Sequence, residues 1–170
     1  MQTQYDLSKA EGVEFSAKSE PLVKYKLEDR TLLFARLIIT KVYRTDQYDV
    51  NGQPVYAWSS QNLFTTVAPK ENKGTPSDPP PTSLNPADYN VTPVDFERVG
   101  SEQWNIYELK DKTVLRIKLE VTGVVKTDKF AVDGDPFYIV SSGALTRMKV
   151  PSELLKKQVP KTAPQRDIYK

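Results

Sequence analysis

Residues Ser19 to Glu71, slid along the chain by 82 positions, fall on Ser101 to Glu153 without a gap. Of those 53 positions 21 are identical, where average composition gives roughly 3. YKLEDRTLL returns as YELKDKTVL, and DVNGQPVYAWSS returns as AVDGDPFYIVSS. With a one-residue slip the match extends backward, Val13-Glu14-Phe15 onto Val94-Asp95-Phe96. Whatever fold is adopted must therefore be built twice. The expected division is copy one at 12–71, a proline-rich linker at 72–93, copy two at 94–155 and a basic tail at 156–170.

Each copy reads as β-structure. Apolar residues hold every second position at Leu33, Ala35, Leu37 and Ile39, and again at Leu115, Ile117, Leu119 and Val121, the period of a strand with one buried face. The other face carries Arg36/Lys118, Thr40/Thr122 and Arg44/Lys126 and is expected to look outward. Asn51-Gly52 and Asp133-Gly134 predict type I′ hairpin turns, and Glu28-Asp29-Arg30 and Lys110-Asp111-Lys112 predict a second turn.

Copy one thus divides into strands at 22–28, 31–44, 46–50, 54–59 and 63–68. The expected class is all-β: two tandem five-stranded antiparallel meanders, each an SH3-like barrel or half of a sandwich. One short C-terminal helix is expected over Ser152 to Gln158, with Ser152 as its cap. The linker with its flanking prolines holds 7 of the chain's 13 prolines and is expected to be extended or draped over the surface.

Composition removes much chemistry. Among 170 residues there is no cysteine and no histidine, which excludes disulfides, thiolate nucleophiles, the commonest zinc ligands and the commonest general base. The acids common to both copies, Glu20/Glu102, Asp29/Asp111, Asp46/Asp128 and Glu71/Glu153, lack the Asp-Thr/Ser-Gly setting of a proton-sharing pair, and the two aspartates near Arg30 and Lys112 suit turns better. A calcium loop would need oxygen ligands that copy two replaces with Lys129 and Ala131. No glycine pattern cradles a phosphate. The expectation is a non-enzyme with no metal and no cofactor.

Two binding chemistries remain. Copy one carries Phe34 and Ile38 where copy two has Arg116 and Glu120, an extra apolar surface that copy two, residues 1–18, a partner protein or a second subunit would cover. This predicts a scaffolding or binding subunit of a larger assembly. The alternative is a single-stranded nucleic-acid binder using Arg36, Arg44, Lys118 and Lys126 with Tyr48 and Phe130, cations for phosphates and rings for stacking. The net charge is only +2, with the excess beyond residue 147. The N-terminal MQTQYDLSKAEGVEF lacks a basic stretch followed by an apolar run, so the expected protein is soluble, cytoplasmic and not membrane-bound. The absence of cysteine and histidine with many prolines also fits a thermophilic source.

Overall fold

The computed structural model describes residues 5–157. Copy one supplies β1 (Glu11–Gly12), β2 (Phe15–Ser19), β3 (Val23–Leu27), β4 (Leu32–Tyr48) and β5 (Pro54–Val67). The end of the linker supplies β6 (Val91–Pro93), and copy two supplies β7 (Phe96–Val99), β8 (Asn105–Leu109), β9 (Val114–Phe130) and β10 (Pro136–Lys149). They form two antiparallel five-stranded sheets, so the chain is all-β. No helix of the described residues is long and apolar enough to cross a membrane.

The sheets are not the two copies. In the first sheet β4 pairs with β5, β3 and β1, and the far side of β3 takes β7 from copy two. In the second, β9 pairs with β10, β8 and β6, and β8 takes β2 from copy one. Each copy therefore lends one short strand to the other's sheet. Backbone bonds repeat the exchange: the Glu28 amide donates to the Asp95 carbonyl at 2.9 Å, and the Lys110 amide to the Glu14 carbonyl at 2.8 Å.

The inner faces pack on each other in one core. Leu33, Leu37, Val42 and Tyr25 of the first sheet meet Leu115, Ile117, Val124 and Tyr107 of the second. The period-2 alternation was the right guide to this face. It fails beyond Ile39. There a β-bulge shifts the register, Ile39 opposing Ser60 and Lys41 opposing Ser59, with Thr40 the extra residue; Thr122 takes the same place between Val121 and Gly123. One extra residue turns every later side chain to the opposite face, so Arg44 and Lys126 do not share the outward face of Arg36.

The turns also differ from expectation. Only the last loop residue of each hairpin has positive φ, Gly52 at 76° and Gly134 at 83°, with no second such residue as type I′ requires. The Gly52 amide donates to the Asp49 carbonyl, and the Asp49 amide to the Gln53 carbonyl, the three-residue loop that ends in a left-handed residue. Arg30 (φ 68°) and Lys112 (φ 69°) hold that position in the other pair of hairpins.

The expected strands 31–44 and 46–50 run together as β4, and 54–59 and 63–68 as β5. Over the described part of the expected C-terminal helix there is one 3-10 turn, Ser152–Leu154, without a side-chain cap; residues 158–170 lie outside the described residues. An extended course is enforced because the Lys156 amide donates to the Gly52 carbonyl at 2.8 Å. Residue 74 of the linker repeats this on copy two, the Gly74 amide donating to the Gly134 carbonyl at 2.9 Å. The linker is thus draped over the β9–β10 hairpin.

Candidate interaction surfaces

The residues that recur in both copies converge first on the seam between the sheets. Asp29 sits in the turn after β3 because its carboxylate accepts the Thr31 amide at 3.0 Å. The same carboxylate accepts the Tyr138 hydroxyl at 2.5 Å and the Lys126 ammonium at 3.4 Å, both from copy two. The mirror contact is Asp111 with the Thr113 amide at 3.0 Å, the Tyr56 hydroxyl at 2.6 Å and Arg44 at 3.4 Å. Deeper in, the Val121 amide donates to the Tyr25 hydroxyl and the Ile39 amide to the Tyr107 hydroxyl, each at 3.3 Å. These contacts lock two sheets.

Burial works against the charge on Asp29 and Asp111, but the tyrosine, the turn amide and the nearby cation outweigh it and hold both below the usual carboxylate value. Burial and the neighbouring carboxylate push the Tyr56 hydroxyl up to about 12. Burial, then Asp29, raises Tyr138 in the same direction. Each tyrosine keeps its proton near neutrality and acts as a donor. No group of three or more carboxylates among the described residues is placed to hold a metal ion.

The second surface is the outer face of the first sheet. Antiparallel partners share a face, so Lys24 opposite Phe34, Leu63 opposite Arg36, Val67 opposite Leu32 and Val99 opposite Lys24 all point outward together. Phe34 and Ile38 are half-buried at its middle. Leu63 and Val67 are 49% and 56% exposed, and Val99 at 41% and Leu22 at 50% extend the patch. Copy two does not cover it, because the copies meet through the opposite face. Residues 11–19 do not cover it either, since they pair along β4 and β8. Arg36 lies within this face, its Nε without a hydrogen-bond partner, and it forms no ion pair among the described residues.

The third surface is the outer face of the second sheet, where the sequence carries charge instead. Trp104 lies between two cations, Lys118 at 5.3 Å and Arg147 at 4.9 Å from the ring. Arg116, exposed, stands opposite Arg147, and Lys149 stands opposite Val114. Lys118 itself is buried, paired with Glu102 and with Glu120 at 2.7 Å, while Arg98 reaches Glu120 at 2.6 Å.

The six residues expected to make one nucleic-acid face are spread over the molecule. Arg36 is on the first outer face and Lys118 on the second; Arg44 and Lys126 are engaged in the seam. Tyr48 is exposed near the 49–53 hairpin, with the Lys156 ammonium 5.0 Å from its ring. Phe130 packs on the linker, against Gly74, and its amide donates to the Ser77 hydroxyl oxygen at 2.9 Å. Trp104 and Arg147 are absent from the expected nucleic-acid face because that face rests on cations and rings present in both copies, and these two residues match Leu22 and Thr65. Their signal was positional: both fall on the face where copy one has Leu22 and Thr65. Comparison of the chain with protein-family models, with curated proteins and with solved structures finds no match.

Proposed function

We propose that the protein is a non-catalytic binding subunit that holds a partner protein on the outer face of its first sheet, with Phe34 and Ile38 at the centre. One observation carries this reading: both copies spend their inner faces on each other, and only copy one keeps a second apolar face. Contiguous exposed apolar surface of this kind is characteristic of interaction sites. Lys24, Lys26 and Arg36 lie among the apolar side chains, which favours a partner that brings carboxylates beside its own apolar contacts. A photo-crosslinking residue placed at Ile38 in cells that make the protein should yield a discrete adduct, lost with Phe34→Glu, while the same probe at Arg116 yields none. Adducts indifferent to Phe34→Glu would overturn the reading.

A second reading is supported by Trp104 between Lys118 and Arg147: single-stranded nucleic acid on the outer face of the second sheet, a base stacking near the ring and phosphates near Arg116, Arg147 and Lys149. Fluorescence anisotropy with single-stranded and duplex oligonucleotides at about 50 and about 200 mM salt tests it. Strand-selective, salt-steep binding weakened by Trp104→Ala and Arg147→Ala is the expected result; no binding at the lower salt removes it.

A further inference from the structure

Among the described residues six strands are paired on one side only, β1, β5 and β7 in the first sheet and β2, β6 and β10 in the second, and these edges are unequal; β1 and β6 have only 2 and 3 residues. β7 and β2 are short, at 4 and 5 residues. β5 and β10 are 14 residues each and are paired on one side only. A long edge offers a row of free amides and carbonyls to any extended chain, and proteins usually blunt it with charge, proline or a covering loop. β10 follows that rule, carrying Arg147 and Lys149 in its last turn of sequence. β5, PVYAWSSQNLFTTV, carries no charge, and its one proline is its first residue. From Ser59 to Val67 the strand is exposed or half-buried throughout. Among the described residues its only bond to the other sheet in this stretch is from the Asn62 amide group to the Ser142 hydroxyl, 3.3 Å.

We propose that a second copy of this chain adds to this edge, β5 against β5 around a two-fold axis, through residues 59–67. Self-complementarity favours that occupant over other extended chains. An antiparallel pairing of SSQNLFTTV with itself opposes no like charges, and it sets Leu63 and Val67 of both copies on one outward face, continuous with Phe34 and Ile38 of each. Closure follows too: a two-fold contact uses the same edge on both copies and leaves no β5 edge for a third, while β10 carries Arg147 and Lys149 on its own edge, so the assembly stops at two. The inference goes beyond the partner-binding reading and does not depend on it, since it uses the edge of the sheet and leaves the face free.

Light scattering or sedimentation over about a hundredfold dilution should show a mass of twice 19.3 kDa that falls to the single chain. Hydrogen exchange at the concentrated end should show protection of the amides in 59–67 that do not bond to β4, lost on dilution. Gln61→Lys with Thr65→Lys should abolish the doubled mass while circular dichroism stays unchanged; Ala144→Lys on β10 and Phe34→Glu should leave it doubled. A single-chain mass at every concentration, open-ended oligomers, or a dimer whose 59–67 edge amides exchange freely would overturn the proposal. The exchange measurement decides even if the lysine variant fails to fold. Loss of the Ile38 adduct question and loss of the dimer are separate results, because Phe34→Glu acts on the first and not on the second.

Discussion

Tyr56 with Asp111 and Tyr138 with Asp29 are one contact made twice, at 2.6 and 2.5 Å, whereas Phe34 and Arg116 hold matching positions and have opposite characters. The seam and the outer faces thus behave differently under duplication. At the seam a change in one copy must suit the other copy, because each tyrosine reaches into the opposite turn. On the outer faces no such constraint acts, and the first sheet has become apolar while the second has become basic. The repeat in the sequence therefore marks what holds the molecule together, and the departures from it mark where the two halves can do different things.

The largest expected effect tests the seam. Asp111→Ala strips the Thr113 amide, the Tyr56 hydroxyl and Arg44 of one shared acceptor, and should cost about 3 kcal/mol, a fall of roughly 10 °C in Tm. Asp29→Ala should cost the same within about 1 kcal/mol, since it removes the matching amide, hydroxyl and ammonium contacts. Thermal and denaturant unfolding of the two variants checks this directly. A large loss at one aspartate and none at the other would break the equivalence of the two contacts.

Much of the core was legible, because Leu33 to Ile39 and Leu115 to Val121 follow a strict strand period. The exchange of β2 and β7 was not. Val13-Glu14-Phe15 and Val94-Asp95-Phe96 could be matched to each other, but an edge strand of five residues carries no pattern that names its sheet. Arg44 and Lys126 were assigned outward because a single bulge residue, Thr40 or Thr122, is invisible to alternation. The helix expected at Ser152 lost to a backbone bond with Gly52, a contact 104 positions away in the chain. Of the candidate sites, Phe34 and Ile38 stand out in the sequence as differences between the copies, matching Arg116 and Glu120. Arg44 and Lys126 stand out as a recurrence, and the recurrence marks the seam, where they meet Asp111 and Asp29.

A smaller effect sharpens the same contact through pH. Asp29 and Asp111 titrate below their ordinary 3.8 in the folded protein, so their contribution is complete above that value and is lost as pH falls through the lower folded value. Tyr56 is raised from 10.0 to about 12; its contribution is complete below pH 10 and is lost as pH rises toward 12. Tyr56→Phe should cost about 1–2 kcal/mol near neutrality and should flatten the alkaline limb of the stability profile, while Asp29 and Tyr138 still supply their own share. Denaturation midpoints measured from pH 3 to 11 read both ends. An alkaline limb unchanged by Tyr56→Phe would remove this tyrosine from the seam's energetics.

The smallest effect separates two turns that share a backbone. Arg30 and Lys112 both sit at positive φ, a conformation that costs a residue with a Cβ about 1–2 kcal/mol. Glycine relieves that cost but adds freedom to the unfolded chain, so Lys112→Gly should stabilise by up to about 1 kcal/mol. Arg30→Gly should gain less, because it also loses the ion pair with Glu71 at 2.5 Å, an exposed contact worth about 0.2–1 kcal/mol. Lys112 has no ion pair among the described residues. Equal gains at the two sites would mean that the Arg30 to Glu71 pair contributes nothing, and that even here the copies differ in sequence without differing in energy.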